Sequence, residues 1–128
     1  MQSERFVLNY EKLERTKNPR HNNIKIIPEN DVSAGYDIQS YKNDESMLLD
    51  KFIEVKSYSG SPYFYWSKNE IEVAKQERDN YFLYLINRDE MNNKNYCPTI
   101  IQNPAKNILN NQNWQKDCQT WKFEKTAL

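Results

Sequence analysis

The sequence predicts an α/β fold in which a mixed central β-sheet is flanked by helices, and three observations predict it. A length of 128 residues fits one domain and can bury a core without staples. Segments with apolar residues every three to four positions are interleaved with short segments that alternate or are wholly apolar. The order that results is helix, strand, strand pair, helix, strand, strand, which is the order of a layered α/β domain. Hydrophobic content is 38%, but nine Tyr, five Phe and three Trp supply large side chains for a core and argue against disorder. The whole chain, 1–128, reads as a single domain, with a core over about 3–109 and a C-terminal extension over 110–128.

The first segment sets Phe6, Val7, Tyr10 and Leu13 at helical spacing among charged residues, so residues 3–17 read as an amphipathic helix stopped by Asn18-Pro19. Ile24, Ile26 and Ile27 make a short strand, turned by Pro28-Glu29-Asn30-Asp31. Gly35-Tyr36-Asp37-Ile38-Gln39-Ser40 reads as a loop entering a second strand. After a polar stretch, Lys51-Phe52-Ile53-Glu54-Val55-Lys56-Ser57 alternates as a half-buried strand does. Paired as an antiparallel hairpin, these strands bring Asp37 opposite Glu54. Ser67-Lys68-Asn69-Glu70 has the form of a capping box and starts a helix over 68–78 that Asp79-Asn80 ends. Tyr81-Phe82-Leu83-Tyr84-Leu85-Ile86 is a fully buried strand, and Pro98-Thr99-Ile100-Ile101 a last strand of the sheet. Asn103-Pro104 starts a final helix through Leu109, since proline suits the first helical position. The tail around Trp114 and Trp121 carries no readable pattern, and there is no internal repeat.

Cys97 and Cys118 are the only cysteines and His21 the only histidine, which excludes a four-ligand Cys/His zinc site and a His-centred nuclease. The two cysteines suffice for one disulfide, but the start Met1-Gln2-Ser3-Glu4-Arg5 is unlike a signal peptide, so a cytoplasmic protein is expected. The longest apolar run, 81–86, is too short to span a bilayer, and no membrane association is expected. A formal net charge of zero weighs against binding nucleic acid by electrostatics alone. Acidic metal ligands lower such a total, and a bound cation restores the local balance.

Strand alternation sends Ile53 and Val55 to one face of 51–57 and Glu54 and Lys56 to the other, the latter roughly 7 Å apart. Asp37 then adds a second carboxylate beside Glu54. At about 4 Å and an effective dielectric near 20, two such charges repel by roughly 4 kcal/mol, a strain that a cation relieves. Oxygen donors without sulfur or imidazole favour Mg²⁺ or Mn²⁺. Asp37, Glu54 and the Val55 backbone carbonyl form the expected ligand set. Lys56 is placed to position or deprotonate an attacking water, and the chemistry such a site carries is phosphodiester hydrolysis.

Asp37 followed by Glu54-Val55-Lys56, with apolar Phe52 and Ile53 before the glutamate, resembles the signature of the PD-(D/E)XK nuclease superfamily. Gly35-Tyr36-Asp37-Ile38, Phe52-Ile53-Glu54-Val55-Lys56-Ser57, Ser67-Lys68-Asn69-Glu70 and Tyr81-Phe82-Leu83-Tyr84 together resemble the domain at the C-terminus of NO VEIN proteins, over roughly residues 4–109. The resemblance implies a restriction-endonuclease-like core in which Asp37 and Glu54 bind the metal and Lys56 is the catalytic lysine. It also implies a carboxylate from the first helix, which Glu4 matches, and a bacterial or phage restriction or defence setting. Tyr36 stands where the superfamily has proline. Gln76 and Tyr81 do not follow the Gln/Tyr spacing of the RecB-type nucleases.

Each of these readings has a plainer alternative. Glu-x-Lys alone occurs on any solvent-facing strand, and its specificity comes from the combination with Gly-Tyr-Asp-Ile. Glu4 is either a ligand or a carboxylate favoured by a helix N-terminus. Glu70 reads as a cap rather than a ligand. Lys68, Lys75 and Gln76 are candidate substrate contacts, or an ordinary polar helix face. Tyr63-Phe64-Tyr65-Trp66 offers base stacking, or core and edge packing. The expected function is an Mg²⁺-dependent nuclease acting on DNA rather than RNA, with a homodimer or companion protein supplying part of the grip. Two rivals stand beside it: an inactive nuclease-fold module for binding or assembly, and a structural interaction protein using the aromatic surface.

Overall fold

A computed structural model describes residues 2–109 and 111–114 of the 128-residue chain. Helix α1 (Gln2–Glu14) leads into strands β1 (Lys25–Ile26), β2 (Ile38–Ser40) and β3 (Lys51–Tyr58). Helix α2 (Lys68–Glu77), strands β4 (Tyr81–Asn87) and β5 (Thr99–Gln102) and the short helix α3 (Pro104–Asn107) follow. The strands form one five-stranded sheet in chain order, antiparallel except for the parallel pair β3/β4, whose crossover is α2. The mixed sheet with flanking helices is the α/β architecture the sequence predicts.

The first and last helices both end earlier than the periodicity predicts. Helix α1 ends at Glu14 rather than residue 17, because the chain turns there. The Asn18 N–H bonds to the Arg15 carbonyl, and the buried Asn18 amide donates to the carbonyls of Asn43 and Ser46. The Asn18 side chain thereby anchors the β2–β3 connection and satisfies two of its backbone acceptors. Helix α3 is shorter than expected, with Ile108 as its C-cap.

The larger difference concerns β3, which is covered on both faces instead of being half-buried. On one face Ile53 and Val55 join Val7, Ile24, Ile38, Tyr41, Tyr84 and Ile86 beneath α1. On the other, Tyr58, Leu83, Leu85 and Ile108 form a second cluster with Phe64, Trp66 and Trp114 packed against it. A strand paired in parallel needs a crossover helix, and that helix covers the face the alternation had reserved for solvent. Glu54 is consequently only 2% exposed.

The face beneath α1 holds a polar cluster that hydrophobic patterning does not announce. Lys51 Nζ lies 3.0 Å from Glu11 Oε1 and donates to Tyr84 Oη at 2.6 Å. Ser40 Oγ donates to Glu11 Oε1 at 2.8 Å, and Tyr84 Oη donates to Glu11 Oε2. All four residues are buried. Burial pushes the Lys51 ammonium pKa down, against the opposing charge of Glu11, and pushes the Tyr84 hydroxyl up. The cluster ties α1 to three neighbouring strands.

Among the described residues no helix is long and apolar enough to cross a membrane. Cys97 is an exposed free thiol, whereas Cys118, Trp121 and most of the expected 110–128 extension lie outside the described residues. His21 sits in a short 3-10 turn with Nδ1 2.9 Å from the Asn18 carbonyl, a structural role.

Candidate active site

The site begins at Gly35, whose backbone has φ +75° and whose carbonyl accepts the Tyr81 hydroxyl at 2.7 Å. A Cβ there would lie 2.5 Å from Val73 Cγ2, so α2 packs against this loop as closely as a glycine allows. The chain then enters β2. The Asp37 N–H bonds to the Ile53 carbonyl at 2.8 Å, and Ile38 pairs with Ile53, which sets Asp37 opposite Glu54. The hairpin register expected from the sequence is therefore the observed one, knitted at its far end by Asp50 accepting from Lys42 N–H and Ser46 Oγ.

Asp37 Oδ2 accepts the Val55 N–H at 2.8 Å. Because a strand residue points its N–H and C=O to the same side, the Val55 carbonyl leaves β3 on the Asp37 side. Burial, a hydrogen bond with the Asp37 carboxyl and the charges of Asp37 and Glu70 push the Glu54 pKa up to about 11, while Lys56 acts in the opposite direction. Glu54 so placed keeps its proton unless a cation takes the proton's place. The Tyr81 hydroxyl lies 3.5 Å from Glu54 Oε2, and burial followed by the Glu54 charge keeps it protonated.

Lys56 lies on the Glu54 face, as alternation requires, with Nζ 3.0 Å from Glu70 Oε1. Glu70 completes the capping box: Ser67 Oγ accepts the Glu70 N–H, and Glu70 Oε1 accepts the Ser67 N–H at 3.0 Å. Burial works to raise the Glu70 carboxyl, but the Ser67 N–H and the Lys56 charge outweigh it and hold it below the ordinary carboxylate range. A cleft of about 350 Å³ opens over the carboxylates, lined by Glu4, Asp37, Glu54, Ser67, Glu70 and residues from the 26–29 and 35–36 stretches.

The structure thus gathers Asp37, Glu54 and Lys56, with Glu4 on the cleft wall. Among the described residues no group of three or more His, Cys, Asp or Glu side chains is arranged to hold a metal ion. Glu4 shares the cleft without completing a three-carboxylate centre. Two carboxylates and a nearby carbonyl do suit a hard ion that keeps most of its waters, as Mg²⁺ does. Lys68, Lys75 and Gln76 are not brought to the cleft: they are exposed on the outer side of α2, with Lys75 4.0 Å from Glu72. Helical spacing explains this, since Glu70, Val73, Ala74 and Glu77 take the inward face. The aromatic run divides by alternation, Phe64 and Trp66 packing inward while Tyr63 and Tyr65 are 51% and 61% exposed and contact each other edge-on.

Tyr81 and Gly35 stand in the sequence only as parts of motifs, and neither their hydrogen bond nor the Glu70 contact with Lys56 was legible there. For Tyr81 a signal exists, because a tyrosine opening a buried strand must find its hydroxyl a partner. For the other two, only the packing of α2 on the sheet reveals the role.

A family model, Protein NO VEIN, C-terminal, matches residues 3–101. The chain belongs to that family. The NO VEIN C-terminal match runs from α1 to β5 and so includes every residue of the cleft named above, while α3 lies beyond it. No curated protein and no solved structure matches the chain.

Proposed function

We propose that this NO VEIN C-terminal domain is a divalent-metal-dependent nuclease of the PD-(D/E)XK kind, hydrolysing phosphodiester bonds of DNA in preference to RNA. The observation that carries the reading is the opposition of Asp37 and Glu54 across β2 and β3 at one cleft, with Lys56 on the same face of β3 and held by Glu70 of the cleft wall. When bound, Mg²⁺ or Mn²⁺ polarises the phosphodiester and makes a water more acidic. Asp37 and Glu54, with the Val55 carbonyl, would hold that ion, which would take the place of the Glu54 proton. Lys56 holds the attacking water and offsets negative charge developing on the phosphoryl oxygens. Tyr81, through the Gly35 carbonyl, keeps the Asp37 loop in register with Glu54. With a net charge of zero, a second copy or a companion protein supplies part of the nucleic-acid grip, in a cytoplasmic restriction or defence setting.

A second reading, a nuclease-fold module that binds or assembles without cutting, is favoured by the same neutral charge and by the neutralisation of Lys56 by Glu70. Incubation with plasmid, linear and single-stranded DNA and with RNA, in Mg²⁺, Mn²⁺ or EDTA, separates the two. Metal-dependent cutting that disappears in Glu54→Ala and Lys56→Ala is the expected result. Binding without cutting in either ion establishes the module instead.

A further inference from the structure

We infer that Glu70 is a positioning residue of the candidate site: the capping box that starts α2 also aims a carboxylate at Lys56 and holds its ammonium beside the Asp37 and Glu54 pair. The task assigned to the held lysine rests on the nuclease reading; the hold itself does not.

An N3 glutamate in a capping box has one local duty, to reach back to the N-cap N–H. Glu70 performs it, and the same Oε1 that accepts the Ser67 N–H also meets Lys56 Nζ at 3.0 Å. The carboxylate is therefore fixed to the backbone on one side and to the lysine on the other. Helix stability accounts for the first contact and not for the second, which joins groups fourteen residues apart across the α2 and β3 interface. A lysine carries its charge on a flexible four-carbon stem, so its position is set by what receives it. Glu54, two residues away on the same face, is buried with its carboxyl hydrogen-bonded to Asp37 and to Glu70. Glu70 is the charged acceptor that the ammonium reaches.

The two duties separate by mutation. Glutamine also serves at N3 of a capping box, so Glu70→Gln retains the cap and removes the charge facing Lys56. Ser67→Ala removes the hydroxyl that accepts the Glu70 N–H, while the backbone N–H that anchors the Glu70 carboxylate remains. Lys56 is 19% exposed in its side chain and open to a small acylating reagent. The test measures the acylation rate of Lys56 by mass spectrometry, the thermal melting of each protein, and kcat and KM on DNA with Mg²⁺.

Expected is a crossed pattern. Glu70→Gln melts near wild type, its Lys56 is acylated about tenfold faster, and kcat falls with KM little changed. Ser67→Ala melts lower and is acylated at the wild-type rate. An unchanged Lys56 rate in Glu70→Gln overturns the inference whatever the activity shows. Wild-type protein that cuts no substrate while Glu70→Gln still shows the faster rate refutes the nuclease reading and upholds the hold on Lys56.

Discussion

Asp37 accepts the Val55 N–H through Oδ2 at 2.8 Å while facing Glu54 across the strand pair, so one carboxylate both closes the sheet end and forms half of the acidic pair. A substitution there must disturb structure and site together, and the two effects are separable. Asp37→Ala leaves a Val55 N–H without its acceptor and is expected to cost about 1 to 3 kcal/mol in urea unfolding. Asp37→Asn keeps an acceptor oxygen and should recover most of that loss. Both should lose the stabilisation by Mg²⁺ expected for the wild-type protein, read as the shift in melting temperature between Mg²⁺ and EDTA. A wild-type melting temperature indifferent to Mg²⁺ and Mn²⁺ removes the metal site from the proposal.

Glu54 supplies a pH dependence whose sign follows from the direction of its shift. Its folded-state pKa, about 11, lies above the unfolded value, so the folded protein retains a proton that the unfolded chain releases above about pH 4.5. The associated stability is complete below the unfolded pKa and is lost as pH rises toward the folded one, at a slope of at most roughly 1.4 kcal/mol per pH unit. In EDTA, Glu54→Gln should therefore gain on wild type steadily between pH 5 and pH 9 in urea titrations. Parallel stability curves for the two proteins contradict this assignment.

The Lys51 and Glu11 pair, buried beneath α1, predicts a stability effect without a site effect. Removing one partner strands the other charge in the core, at about 3 to 5 kcal/mol. Glu11→Ala is expected in that range, whereas replacing both residues with leucine or methionine should restore most of the loss. Divalent-ion stabilisation of whatever folded protein remains should persist, because the cluster lies on the opposite face of the sheet from Glu54. A cost in urea unfolding near zero for Glu11→Ala counts against a charged pair.

Gly35 combines two constraints that a double substitution resolves. Gly35→Ala meets Val73 Cγ2 at 2.5 Å and Val73 Cβ at 2.9 Å, and it also places a side chain at φ +75°. The backbone part alone costs about 1 to 2 kcal/mol. Adding Val73→Ala removes the nearer clash and should return part of the stability, with the backbone part remaining. Full recovery in the double variant shows that the turn tolerates a side chain at this angle, and no recovery shows that the clash with Val73 Cγ2 is not what limits the single variant.

The hairpin register was legible because it follows from local rules. The apolar residues of 51–57 fix which side chains share a face, and the polar 41–50 stretch fixes where the chain reverses. Those two facts oppose Asp37 to Glu54 and put Lys56 beside them. The capping box at Ser67 and Glu70 was legible for the same reason, since its partners are three residues apart. Lys68, Lys75 and Gln76 show the limit: they are cationic or polar and close in sequence to the site, yet the inward face of α2 belongs to other residues.

By itself, then, the sequence determined the order of elements, the mixed sheet and the strand pairing that opposes the two carboxylates, because periodicity and turn chemistry act between near neighbours. Only the tertiary structure decided that both faces of β3 are covered, that Glu70 of α2 meets Lys56, that Tyr81 ties Gly35 to the Glu54 end of the sheet, and that Lys51 finds Glu11. Alternation along a strand states which residues lie together on a face. What covers that face depends on how a crossover helix packs, and that is settled by contacts between segments far apart in the chain.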